Sequence, residues 1–182
     1  MILTGSKIRE EIEAGNIEID PFVPEHVGPN SVDLRLGSTL LYYDLEKCSK
    51  EGYFNILDMM KENPTIQIQI PRYGYTLLPG ILYLGSTIER TWSDLYVPKV
   101  EGRSSVGRLG LKIHLTAGFG DLGFNGNWTL ELEATHPLRI YPGVRICQVY
   151  FDKPFGEVKD LYRGRYQGHT EPTASRFHSG ET

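Results

Sequence analysis

Little in this chain of 182 residues advertises a function through abundance. It has only two cysteines, Cys48 and Cys147, far apart in sequence. Two is too few for a disulfide framework and suits a reducing compartment. No segment approaches the roughly 20 consecutive apolar residues that a membrane helix needs. The opening Met1-Ile-Leu-Thr-Gly-Ser-Lys has no apolar run of a signal peptide. The expectation is a cytoplasmic protein with no membrane partner. Positive charge is scarce too: 19 Lys and Arg stand against 23 Asp and Glu, a net charge of −4. Such a chain lacks the basic surface that nucleic acid requires, so no nucleic-acid partner is expected. A small polyanion held by a few local arginines stays open. There is no Gly-x-Ser-x-Gly elbow and no phosphate loop ending in Gly-Lys-Ser or Gly-Lys-Thr. A zinc-activated water of the His-x-Glu, Pro-Cys-x-x-Cys kind is also unsupported. The cysteines stand alone, and the one His-x-Glu, His169-Thr-Glu171, lies in an unpatterned tail.

What the chain does have is glycine (20), proline (11) and tyrosine (11), a composition of short strands joined by turns. A first helix is capped by Thr4 or Ser6, carries Ile8 and Ile12 on one face and ends at Gly15. Ser31–Leu36 alternates as a half-buried strand, and Leu40–Leu45 reads as the next one. Residues 46–64 read as a long loop, and Thr65–Ile70 has a clean period of two. Short apolar runs follow at Tyr75–Leu78, Ile81–Ser86 and Leu95–Val100, then helical spacing over Ser104–Leu109. Lys112–Ala117, Asn127–Ala134 and Arg145–Phe151 read as strands. From Gly156 onward the pattern stops, which predicts a partly mobile arm. With no repeat and no linker, residues 1–182 read as one mostly-β domain, a sandwich or distorted barrel with short helices.

Three segments carry chemistry. Glu101-Gly-Arg-Ser-Ser-Val-Gly-Arg-Leu-Gly-Leu concentrates arginine forks, hydroxyls and glycine at a strand-to-helix transition, which suits an anion. A solvated helix cap is the alternative for so short a stretch. Thr116-Ala-Gly-Phe-Gly-Asp-Leu-Gly-Phe-Asn-Gly-Asn places Asp121 and Phe124 among glycines, either folding around a ligand or making a flexible turn. Asn127-Trp-Thr-Leu-Glu-Leu-Glu-Ala puts Trp128, Leu130 and Leu132 on one face and Thr129, Glu131 and Glu133 on the other. A glutamate desolvated in a cavity would have a raised pKa and shuttle protons near neutral pH. A glutamate facing water would do neither.

Together these segments resemble the dCTP deaminase branch of the trimeric dUTPase superfamily. The resemblance rests on Pro29-Asn-Ser-Val-Asp-Leu-Arg-Leu-Gly, on the two glycine-rich segments above, on Thr129-Leu-Glu-Leu, and on Tyr141-Pro-Gly-Val-Arg-Ile-Cys-Gln. The tail adds Arg165-Tyr-Gln-Gly, Pro172-Thr and Ser175-Arg, so the likeness runs from Met1 to about Arg176. It implies a homotrimer of distorted, jelly-roll-like β-barrels with active sites at subunit interfaces. It implies dCTP as substrate and Glu131 as general acid and base. Arg103, Ser104, Ser105 and Arg108 would hold the triphosphate and the reacting centre, with Ser104 and Arg108 orienting the water. Asp121 and Phe124 would line the deoxyribose, and Gln148 would reach the phosphates. Ala117 and Thr129 would complete the nucleotide site, and residues 156–182 would close over it with Tyr162, Arg165 and His169. Magnesium would enter on the triphosphate, zinc would be absent, and dTTP is an implied feedback inhibitor.

Activities differ within the superfamily. The presence of Glu131 favours hydrolytic deamination of dCTP to dUTP and ammonia, and that is the main expectation. The pair Gly118-Phe119 together with Gln148 looks more like bifunctional members, which give dUMP and pyrophosphate. In those, Asp121 and Glu131 would position a second water at the α-phosphate. A dUTPase without deamination, and a non-catalytic deoxynucleotide sensor, are further alternatives.

Overall fold

A computed structural model describes residues 1–180 of the chain. Its first helix, α1 (Gly5–Glu13), begins where the Thr4 hydroxyl accepts the Lys7 N–H at 3.3 Å. It buries Ile8 and stops at Gly15, whose positive φ of 76° suits a residue without Cβ. The strands follow as β1 (Glu18–Asp20), β2 (Val32–Tyr43), β3 (Ser49–Glu51), β4 (Phe54–Ile56), β5 (Thr65–Gln69), β6 (Tyr75–Leu77), β7 (Tyr83–Trp92), β8 (Val97–Gly102), β9 (Leu111–Lys112), β10 (Asn125–Ala134), β11 (Leu138–Ile140) and β12 (Arg145–Asp152). A one-turn helix, α2 (Ser104–Gly107), lies between β8 and β9.

The main sheet runs β8-β12-β2-β7-β10-β9, with β1 on β7 and β5 on β2. Its two ends are stitched together by the chain between β9 and β10. The Glu131 N–H donates to the Ile113 carbonyl at 3.0 Å, the Val100 N–H to the Gly118 carbonyl at 2.7 Å, and the Gly120 N–H to the Pro98 carbonyl at 2.9 Å. The sheet therefore curls into a nearly closed barrel. Inside lie the inward members of each alternation: Leu34, Leu36 and Leu40 from β2, Leu130 and Leu132 from β10, and Ile146, Val149 and Phe151 from β12, all buried. Each contributes about 1.5–3 kcal/mol by leaving water.

Several sequence expectations change here. The two strands expected at 31–36 and 40–45 are one strand, β2. A register shift between Leu36 and Leu40 absorbs Gly37, which approaches Ser86 too closely for a Cβ to fit easily. The loop expected over 46–64 contains the small hairpin β3–β4. The strand expected over 112–117 ends at Lys112, because the Leu115 and Thr116 N–H groups turn to a side chain instead of a ladder partner. The tail, expected to be partly mobile, lies against β10 and its neighbours. Tyr162 N–H donates to Leu122 O at 2.7 Å, Gly168 N–H to Asn125 O at 2.8 Å, and Asn127 N–H to His169 O at 2.8 Å. Both cysteines are buried and unpaired, and burial pushes the Cys147 thiol pKa up. Among the described residues no helix is long and apolar enough to cross a membrane.

Candidate active site

The alternation of β10 decides what faces the barrel and what faces the arm. Trp128, Leu130 and Leu132 go inward, and the Trp128 Nε1–H is satisfied by Thr91 Oγ1 at 2.8 Å. Thr129 and Glu131 point the other way, into a cavity of about 630 Å³ between β10, the 117–124 segment and the arm. That volume lies within the range of ordinary small-molecule sites. Ala117, Asp121, Phe124, Thr129, Glu131, Tyr162 and His169 all line it. The structure thus gathers these seven sequence candidates around one space.

Glu131 is half-buried, and its Oε2 accepts the Leu115 N–H at 2.7 Å and the Thr116 N–H at 3.4 Å. Two convergent backbone donors fix the carboxylate, and among the described residues no cationic side chain pairs with it. Phe124 packs on Trp128 (centroids 5.4 Å apart) and edge-on to Tyr162 (5.9 Å), which makes an aromatic wall. Gly123 lets the arm approach: its φ is +82°, and a Cβ there would sit 2.8 Å from Leu161 Cβ. Gly126 does the same beneath His169, whose carbonyl oxygen would be 3.0 Å from a Cβ.

Sequence reasoning missed part of the wall. Tyr43 at the end of β2 lines the cavity, and its hydroxyl accepts the Ser175 N–H at 3.1 Å. Thr173 donates its N–H to Thr129 Oγ1 at 3.2 Å, and Tyr166 stands edge-on to His169. Tyr43 carries no local motif, since only the curl of the sheet brings it under the arm. Tyr166, Thr173 and Ser175 sit inside the tail segments that resemble the family, and that was the available signal.

The remaining candidates do not line this cavity. Ser104, Ser105 and Arg108 are exposed on α2 and beside it. Arg103 and Gln148 belong to a polar group set up by the double pairing of β12 with β8 and β2, which places Gln148 opposite both Glu101 and Asp33. Asp33 holds Arg103 Nε at 3.1 Å and Arg145 Nη1 at 3.2 Å. Gln148 accepts the Ser31 hydroxyl at 2.8 Å and donates to the Gly102 carbonyl at 3.3 Å. Arg165 turns away from Glu131 as well. It donates to the carbonyls of Arg176 (2.5 Å) and Gly180, beside a second cavity of about 830 Å³ that it lines with Arg176 and Glu62. Among the described residues no group of three His, Cys, Asp or Glu side chains forms a metal cluster.

A family model described as dCTP deaminase-like matches residues 2–153. The chain belongs to that family. A member from Hathewaya histolytica named "dCTP deaminase, dUMP-forming" is 49% identical over 170 residues, covering 93% of both chains. One from Clostridium beijerinckii with the same name is 50% identical over 168 residues, covering 92% of this chain and 91% of the other. The crystal structure of 2′-deoxycytidine 5′-triphosphate deaminase from Agrobacterium tumefaciens matches with a TM-score of 0.64 at 21% identity, over 84% of this chain and 48% of that one. That likeness shows the barrel-like fold alone. The family match stops just short of the arm, so the cavity's outer wall lies beyond it.

These findings correct one expectation. Deamination ending at dUTP was the main reading, and relatives that align over nine tenths of the chain carry the name of dUMP-forming enzymes. The cavity that holds Glu131 is also lined by a second carboxylate, Asp121.

Proposed function

We propose that this chain converts dCTP to dUMP, releasing ammonia and pyrophosphate. The observation that carries this reading is a fixed glutamate, Glu131, sharing one cavity with Asp121 and the aromatic wall of Phe124. Two waters are consumed. The first adds to C4 of cytosine as Glu131 takes its proton, and the same carboxyl group returns a proton to the departing amine, leaving uracil and ammonia. The second water attacks the α-phosphorus, and pyrophosphate leaves. Asp121 and Glu131 orient this water, while Phe124 packs under the deoxyribose and leaves no partner for a 2′-hydroxyl. Ala117, Thr129, Tyr162 and His169 complete the nucleoside wall.

The triphosphate-binding set is Arg103, Ser104, Ser105 and Arg108, with Gln148 beside it. Because these residues do not line the cavity of their own chain, the reading assigns them to the cavity of a neighbouring copy in a trimer. Arginine forks and serine hydroxyls there stabilise the charge that develops on the phosphates. Magnesium is part of the substrate, bound through phosphate oxygens and water. dTTP, with the same deoxyribose and triphosphate, would compete for the same space. The deciding experiment is incubation with dCTP and magnesium, followed by separation of products. Ammonia, dUMP and pyrophosphate in equal amounts support the reading. Accumulation of dUTP as the end product, or binding without turnover, refutes it.

A further inference from the structure

We propose that Asn127 is a positioning residue: its side-chain amide closes a bulge in β7 and so fixes the edge of β10 on which the arm docks as the outer wall of the cavity. This rests on the cavity being the nucleotide site proposed above. β10 and β7 pair at Asn127 with Arg90 and at Thr129 with Ser86. One residue of β10, Trp128, therefore stands opposite three of β7, Thr87, Ile88 and Glu89. Such a mismatch bends the strand and takes backbone groups out of the ladder. Side chains satisfy those groups here. Asn127 Nδ2 donates to the Thr87 carbonyl at 2.8 Å and to the Ile88 carbonyl at 2.9 Å. The Thr87 hydroxyl accepts the Trp128 N–H at 3.0 Å and donates to the Glu89 carbonyl at 2.8 Å. Two carbonyls that converge on one atom need a nitrogen with two hydrogens, whereas a hydroxyl has one to give and a carboxylate none.

The same residue carries the arm on its main chain. The Asn127 N–H donates to the His169 carbonyl at 2.8 Å, and the Asn125 carbonyl accepts the Gly168 N–H at 2.8 Å. Further along β10, Thr129 Oγ1 accepts the Thr173 N–H at 3.2 Å, and the Glu131 N–H donates to the Ile113 carbonyl at 3.0 Å. The arm and the turn that holds Glu131 thus follow one another along β10. Asn127 joins the two layers, with its side chain on the bulge of β7 and its backbone on the arm. The fit leaves no slack, since a Cβ on the neighbouring Gly126 would lie 3.0 Å from the His169 carbonyl oxygen. Loss of the amide would leave two carbonyls of the bulge unpaired and free the peptide that receives the arm to tilt.

The test compares Asn127→Asp with the unaltered chain, by amide hydrogen exchange without nucleotide and by ammonia release from dCTP. Asp keeps the size of the side chain and turns only oxygens to the two carbonyls. Exchange over residues 162–176 should quicken roughly ten- to a hundredfold, while β2 and β12 keep their protection. The KM for dCTP should rise roughly tenfold, with kcat within about twofold of the original. Asn127→Gln keeps both N–H groups on a longer stem and should bring the KM and the arm's exchange back to within about threefold. Gly126→Ala pushes on the arm without touching the bulge and should reproduce the faster exchange of residues 162–176. Unchanged arm exchange in Asn127→Asp, or equal acceleration through the whole barrel, overturns the proposal. So does a fall in kcat at constant KM, a loss of folding in Asn127→Asp, or no recovery in Asn127→Gln. The exchange measurement needs no turnover. An unaltered chain that releases no ammonia from dCTP would therefore defeat the catalytic reading and leave the link between Asn127 and the arm to be decided by exchange.

Discussion

Replacing Glu131 with Gln separates chemistry from architecture, because the two side chains have the same shape. Glu131 Oε2 accepts from Leu115 and Thr116, at 2.7 and 3.4 Å. The amide oxygen of Gln keeps both contacts and loses only the charge assistance, almost all of it on the shorter one. That amounts to about 1 kcal/mol, or a fall in Tm of roughly 2–4 °C for a chain of this size. Catalysis should respond on another scale. Positioned acid–base groups each contribute about 10²–10⁴ in rate, and the carboxylate is assigned both the removal of a proton from water and its return to the amine. Ammonia release from dCTP should therefore fall by at least roughly a thousandfold. Binding of dCTP, measured by calorimetry at temperatures where the variant is folded, should change by no more than about threefold. Ammonia release above about a tenth of the original rate would refute the acid–base assignment, since loss of the carboxylate proposed to carry the proton at C4 cannot cost so little. A Tm drop far beyond the stated range would instead make Glu131 a brace of the 113–117 turn.

Three other outcomes follow from the same geometry. Glu89 is 1% exposed and accepts the Arg35 N–H and Nε–H at 2.7 and 2.5 Å, so Glu89→Ala strands a guanidinium partner and should cost about 3–5 kcal/mol in denaturant unfolding. A chain ending at Phe155 removes the arm wall formed by Tyr162, His169 and Thr173, and should keep the barrel's cooperative unfolding while raising the KM for dCTP at least roughly tenfold. Lys99, 2.7 Å from Asp152, and next the terminal amine hold the Asp152 carboxyl below its ordinary pKa of 3.8. The resulting stability is fully present above that value and disappears as the pH falls through the lowered one. Lys99→Met should flatten that part of a plot of Tm against pH, and an unchanged plot would count against the pair.

The local elements were legible where a residue's two neighbours along the chain decide its environment. Thr4, Ile8 and Gly15 specified the first helix, and the alternation of Trp128, Leu130 and Leu132 specified both the strand β10 and which face of it is dry. It also put Thr129 and Glu131 on the opposite face, since a period of two admits no other outcome. The tertiary structure decided the rest. Whether Glu131 meets water or a cavity depends on Leu115 and Thr116, whose N–H groups leave the ladder to hold it. That choice also ended the strand expected over 112–117. Tyr43 reaches the cavity because the sheet curls, and His169 meets Thr173 there in a tail with no periodicity. Periodicity reports a side chain's face relative to its own backbone. A site is built from side chains and backbone groups of segments distant in sequence, and only the closed barrel and its arm bring those groups to one point.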